Sequence, residues 1–589
     1  MNSNLIESSE NKFLDLKPED AQPGEPEQPG LQESSPAKPV YASLAGLALA
    51  ACGGGDGSNG PIATPKPTEK EAARFLMQAS FGGTYAQVQD VQTKGFEAWL
   101  DAELAKPWVE SDSHYNWIVN SGFIAAGQSS KLGMDNTLWR KLISAPDVLR
   151  QRVAFALSQI FVVSIEGLGA ITWRNVAAAA YMDLLEKNAF GNFSDLLKAV
   201  SQSPAMGTYL NMKGSVAATG NSSPDENYAR EVMQLFTIGL YQLNADGSLK
   251  LKNGKPIETY QQQDVTDLAA ILTGWNFASQ DDPTKLGYFN VGMTHKATLY
   301  TAGTKSYLGG SIASTVTGPD ALNTVLEYLA NHDNVGPFIG RQLIQRLVCS
   351  NPSPEYIGRV SAAFKTQVNG KRGDMKTVIK AVLLDAEARN LPTVATAVAK
   401  YGKLREPVQR LVQWARTVNA KPSNPNDKPS GPNWKAPWHI GDLSDDVTGL
   451  GQSPLRSPSV FNFYRPGYIP TQGEMAKNKI TAPEFQICNE VTVAKYLNLI
   501  NDYIGGVNKG DVLSTDYSAD YELAKQKDAK GLVDRYSLLL AADALSQKTK
   551  DTISTAVATE VASDDDGCLK RIKATVFLIM ATPEYIVQK

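Results

Sequence analysis

Apolar residues recur at helical spacing along most of the chain. The longest such pattern covers 136–164, where Leu149, Val153, Ala156, Leu157 and Ile160 form one stripe beside Arg150 and Arg152. Two central segments add start and stop signals. Segment 223–239 opens on Ser223, Pro224 and Glu226, which fit an N-cap, a first-turn proline and a capping-box acid, and it closes on Gly239. Segment 259–275 pairs Thr259 with Gln262 as a second capping box and stops at Gly274. Val232, Leu235 and Phe236 supply the first helix with an apolar face, and Val265, Leu268, Ala269 and Leu272 supply the second. The same periodicity predicts helices over 181–197, 335–348, 354–364 and 375–387. His332 shapes the start of the 335–348 helix, with Asp333 or Asn334 as its cap.

Between the central helices the period changes. Asp246-Gly247 and Asn253-Gly254 are turn dipeptides flanking Ser248, Leu249, Leu251 and Ile257, which predicts a β-hairpin excursion over 240–258 at the rim of a cleft. Segment 451–467 carries Pro454, Pro458 and Pro466 among Phe461, Phe463 and Tyr464, so it cannot form a long helix. It reads as an ordered segment held by tertiary contacts, of the kind that lines sites. The expected fold is mainly α: a large multi-helix, bundle-like domain with a small β-hairpin excursion and long ordered loops.

Composition narrows the function classes. With 589 residues, a formal net charge of -4 and 20% charged residues, the chain can bury a large core but offers no basic field, so no nucleic-acid partner is expected. Residues 1–39, rich in Glu, Pro, Ser and Gln, read as a disordered acidic leader. Residues 40–67 read as a lipoprotein-type signal and flexible tether. The apolar run is too short to span a bilayer, Leu49-Ala50-Ala51 precedes Cys52, and glycines follow. Cys52 is the expected lipidation site, which places the chain in the bacterial cell envelope, membrane-attached through a lipid anchor on a periplasmic or outer-membrane face. The acidic stretch ahead of the run, with only Lys38 close by, departs from an export signal, and an unprocessed leader would leave the chain secreted or cytoplasmic. The other cysteines, Cys349, Cys488 and Cys568, are too scattered for a disulfide scaffold. Residues 68–589 read as a single large α-helical domain with an exposed loop over 420–437.

Capping leaves over Asn227, Tyr228, Arg230 and Glu231 in the first central helix, and Asp264 and Asp267 in the second. Packed helices would bring these carboxylates and the guanidinium together. One reading is a buried ion-pair network that fixes helix register. The other is a carboxylate-rich site in which Glu231, Asp264 and Asp267 hold Mg²⁺, Ca²⁺ or Mn²⁺, or act as acid and base on a glycan. His295 is the best catalytic candidate among the four histidines to join Glu231 and Asp264, and Trp275 completes the binding set. His114 and His439 stand apart, beside Tyr115 and Trp438. Trp434 and Trp438, exposed beside a cleft, would favour a carbohydrate, and their burial would remove that argument. No motif specifies a cofactor: zinc-protease, P-loop, nucleophile-elbow and dinucleotide signatures are absent.

Asn-Tyr-Ala-Arg-Glu at 227–231, Gln-Leu-Phe-Thr-Ile-Gly-Leu at 234–240, the run 260–264 and Leu-Thr-Gly-Trp at 272–275 resemble the bacterial family catalogued as domain of unknown function eighteen-hundred. The resemblance runs from Ala72 almost to the C-terminus and includes 72–76, 79–82, 95–100 and 451–467. It implies core packing for the opening motifs and, for Arg150 and Arg152, either anchoring of a distant carboxylate or a solvated face. Near residue 295 the family pattern has a His followed by an acid. Here Lys296 follows His295, which weakens a role carried over from the family. The resemblance also implies a sulfatase- or phosphatase-like partner protein, since such proteins are often encoded alongside. The expected function is a cell-envelope lipoprotein that binds or assembles a surface or polymeric ligand with that partner. The alternative is an envelope hydrolase using the carboxylate-rich site.

Overall fold

Local signals place most helices where the periodicity does, and chain chemistry explains the exceptions. The computed structural model describes residues 66–126, 131–220, 222–278, 286–424, 437–506 and 512–589. The acidic leader, Cys52 and Trp434 lie outside the described residues. Helix α1 (Glu69–Ala79) starts on a capping box made by Thr68 and Glu71. The stretch expected as one long helix is two, α2 (Met134–Ser144) and α3 (Val148–Ser158). Pro146 separates them, because it lacks an N–H and forces Ala145 into extended backbone. Every residue of α3 is buried, so Arg150 and Arg152 are interior groups and not a solvated face.

Helices α4 (Arg174–Asn188), α5 (Asn227–Gln234), α6 (Gln262–Ile271), α7 (Val335–Leu347), α8 (Pro354–Lys365) and α9 (Pro407–Thr417) build the rest of the frame. The first central helix is shorter than expected. Glu226 is its N-cap residue, and Ser223 and Pro224 precede it. The second is capped by Gln261 with Asp264 as the reciprocal acid, and Thr259 instead donates its hydroxyl to the Gly239 carbonyl. Gly239 has φ 69, and a Cβ there would meet the Phe338 ring at 2.8 Å, so only glycine serves.

Among the described residues, strands are confined to small antiparallel pairs. In the expected hairpin, β1 (Leu251–Lys252) pairs with β2 (Lys255–Pro256) across Asn253 and Gly254, both at positive φ as a two-residue turn of this type requires. Further on, β3 (Trp275–Asn276) pairs with β4 (Thr294–His295), setting Trp275 opposite His295. Two apolar cores result. One gathers α1 and the helices from α3 to α8, and the other surrounds α9 and the helices near the C-terminus. Helix α3 joins them, with Leu149 and Val153 in the first and Phe155 in the second. The fold is mainly α with small β-hairpins.

Candidate functional site

The central segment does not assemble the expected catalytic group. Asp264 sits in the first turn of α6, where its carboxylate accepts the Gln261 N–H at 2.8 Å, and Asp267 accepts from Gln263 at 2.8 Å. His295 lies beside Gly274, beyond the other end of that helix, so at 1.5 Å per residue the two are separated by roughly 15 Å. The ring of His295 is wedged between Trp275 and Tyr300, with centroids 5.3 and 5.1 Å away, and a Cβ on Gly318 would fall 2.0 Å from Nε2. Burial lowers the imidazole's pKa against the pull of a hydrogen bond to the Thr273 backbone. Trp275 and Tyr228 are core residues, the latter bonded to Ser201. Asn227 is exposed at the start of α5, its N–H donating to Asp225.

The buried ion-pair network expected here does not form; a half-exposed polar set joins the two helices instead, and Glu226 carries it in place of Glu231. Glu226 accepts from Thr266 and Gln262 on α6, each at 2.8 Å, and pairs with Arg230 at 3.1 Å, while Arg230 also donates to Gln262 at 3.1 Å. Capping chemistry had accounted for Glu226, and its reach across to α6 follows only from how the helices pack. Glu231 is left with Oε2 buried and unpartnered among the described residues, and burial pushes its carboxyl up to about 7, against the attraction of Arg230. Between its ordinary 4.5 and 7 the folded chain therefore holds a proton that the unfolded chain has released. Stability from this group is full at low pH and falls as pH rises through that window, by about 2–3 kcal/mol. Urea unfolding of Glu231→Gln across that range should show this slope removed, and parallel wild-type and variant profiles would refute the assignment.

His114, Asp183 and Glu186 form a buried trio with metal-like spacing. Each oxygen is already committed: Asp183 accepts the N–H groups of His114 and Tyr115 at 2.7 and 2.8 Å, and Glu186 meets His114 Nε2 at 2.8 Å and Lys141 Nζ at 2.5 Å. His114 Nδ1 is 3.0 Å from the Thr137 hydroxyl. Lys141 holds one Glu186 oxygen and the His114 ring meets the other, so the trio is an internal charge network that ties helices together.

A cavity of about 430 Å³ lies where α7, the end of α5, the hairpin and the 451–467 segment meet. Leu235, Leu240, Tyr241, Leu243, Leu249, Phe338, Val460 and Phe461 supply apolar walls. Arg341, Arg346 and Arg465 line it together with Gln159, Gln234, Gln342 and Gln345, and among the described residues no Asp or Glu does. The polar groups are held from behind. Gln345 donates to the carbonyls of Ser350 and Pro466 at 3.0 Å, fixing the proline-rich segment against α7. Asn334, 1% exposed, accepts from Leu243 N–H at 2.9 Å and donates to the carbonyls of Ile238 and Tyr241 at 2.7 Å, which pins the hairpin's base.

The three arginines differ in freedom. Arg346 is buried and donates to the carbonyls of Gln342 and Gln159 at 3.3 and 2.7 Å, with Nε unpartnered among the described residues. Half-buried Arg341 donates to the Thr481 hydroxyl at 3.4 Å, and exposed Arg465 stacks 4.7 Å from the Phe461 ring centroid. Beneath them Lys403 lies 3.5 Å from Glu406 and 3.2 Å from Glu484, all three fully or almost fully buried. Glu406 also accepts from Gln452 at 2.7 Å and from Gln159. Burial alone would raise Glu406, but Lys403 and Arg152 outweigh it and hold the carboxyl low. With Arg152 and Arg346 beside Lys403, three buried cations meet the two carboxylates of Glu406 and Glu484, and of these groups Arg346 reaches the cavity lining.

The sequence pattern pointed to two of these walls, the hairpin rim and the 451–467 segment. It passed over Arg341, Gln342, Gln345 and Arg346, whose signal was two polar pairs one turn apart on an otherwise apolar helix. Trp438 is buried, at 6% exposed, which removes its support for a carbohydrate. A family model described as a protein of unknown function (DUF1800) matches residues 74–587. No curated protein and no solved structure matches the chain.

Proposed function

The chain belongs to the DUF1800 family, and from that premise we propose that it works by holding a ligand, an anion with an apolar body, in the cavity between α7, the hairpin and the 451–467 segment. One observation carries this reading: a cavity within the usual small-molecule size range is walled by apolar side chains and lined by three guanidinium groups with no carboxylate among them. An envelope protein tethered through Cys52 would present that cavity near a membrane. A sulfatase- or phosphatase-like partner would act on esters that are anions of the same class. Hydrolysis by Glu231, Asp264 and His295 has less support, because Asp264 and His295 lie at opposite ends of α6.

Dansyl-undecanoate, a fluorescent anion with an alkyl body, tests the reading. It should bind the full chain, be displaced by dodecanoate and not by dodecylamine, and lose at least about tenfold in affinity with Arg341→Gln and Arg465→Gln combined. Equal displacement by the amine, or unchanged affinity in the double variant, would overturn it.

A further inference from the structure

We propose that the hairpin seats the cavity mouth on an anionic lipid surface, so that the ligand is a lipid with an anionic headgroup; this rests on the binding reading above. Alternate residues of a strand point to opposite sides, and Leu251 pairs with Pro256 while Lys252 pairs with Lys255. Leu249, Leu251 and Pro256 therefore share one face of the ribbon, and Lys250, Lys252 and Lys255 share the other. Leu251 is 58% exposed and Leu249 45%, so the apolar face is largely uncovered. It is also continuous with the cavity, since Leu249 lines it together with Leu240 and Tyr241, themselves 49% and 41% exposed. Single exposed apolar residues are ordinary, but a contiguous apolar edge at a cavity mouth marks a surface that something covers.

Charge selects what covers it. Lys252 and Lys255 face each other directly across the ribbon, a placement in which like charges repel. Anionic headgroups relieve that repulsion while the leucines enter the apolar boundary and the lysine stems reach back to the headgroup layer. The lysines at the mouth and the arginines lining the cavity have the same sign, so an anionic headgroup is attracted at both.

The full chain carrying Cys52→Ser, which removes any acyl tether, should co-sediment with vesicles of phosphatidylcholine mixed with phosphatidylglycerol and far less with phosphatidylcholine alone. Binding should fall with added salt and weaken roughly fivefold for each of Lys250, Lys252 and Lys255 replaced by glutamine. Leu251→Asp should abolish it, while all these variants, none of which lines the cavity, keep the wild-type affinity for dansyl-undecanoate. Equal binding to neutral vesicles, or no loss in the lysine variants, with the dansyl probe still bound, would overturn the lipid surface and turn the hairpin toward a protein. Vesicle binding of the expected kind without any dansyl-undecanoate binding would instead overturn the cavity as the anion site.

Discussion

Glu406→Gln is expected to lower the unfolding free energy by about 3–5 kcal/mol, the cost of leaving buried charge without its partner. Glu406 is fully buried, accepts from Gln159 and Gln452, and faces Lys403 at 3.5 Å with Arg152 close by. A glutamine of the same shape turns an NH₂ group toward donors and removes the charge. Lys403, Arg152 and Arg346 are then left with Glu484, whose own carboxyl burial already raises. Urea unfolding of the wild type, Glu406→Gln, Lys403→Met and the double variant gives the coupling directly, and it should exceed about 1 kcal/mol. Additive single effects would show that the two residues do not depend on each other. The same variant probes the cavity from below, because the Glu406 partner Gln159 also receives the Arg346 guanidinium at its carbonyl.

Glu186→Gln is expected to have an effect of similar size near neutral pH, again about 3–5 kcal/mol. Its carboxylate joins His114, Lys141 and the Trp108 indole. Burial opposes its charge, but His114 and Lys141 outweigh burial and hold the carboxyl at about 2. A carboxyl lowered in this way stabilises the fold fully above its ordinary 4.5, and that contribution is lost as pH falls toward 2. Asp183 runs the other way: burial raises it to about 6, so its contribution is full at low pH and falls as pH rises from 3.8. The gap between wild type and Glu186→Gln should therefore narrow in acid, and a constant gap would show that the variant acts through packing and not through charge. Millimolar zinc should leave the wild-type unfolding midpoint unmoved, since every oxygen of the trio already has a partner. A rise would mean that the lysine yields and the site takes metal.

Much of the fold was legible because its signals are local. The turn dipeptides Asp246-Gly247 and Asn253-Gly254 marked the hairpin, and the prolines of 451–467 excluded a long helix. Where local signals competed, neighbours decided. Pro146 split the 136–164 pattern, and Gln261 with Asp264, not Thr259 with Gln262, capped α6 because Thr259 had the Gly239 carbonyl within reach. The candidate site was less legible. Glu231, Asp264 and His295 stood out as chemistry-bearing residues near one another in sequence, but helix geometry places Asp264 and His295 at opposite ends of α6.

The sequence by itself determined that this chain is a mainly helical member of its family, with a lysine- and leucine-bearing hairpin and a stiff proline-rich segment, because period, caps and turn chemistry act over a few residues. Which polar groups share a cavity was settled only by tertiary structure. Gln345 reaches a carbonyl 121 residues away, and that contact brings Arg341, Arg346 and Arg465 to one wall. Side chains so far apart in the chain meet only when the cores close, and the buried guanidiniums bring their charge with them.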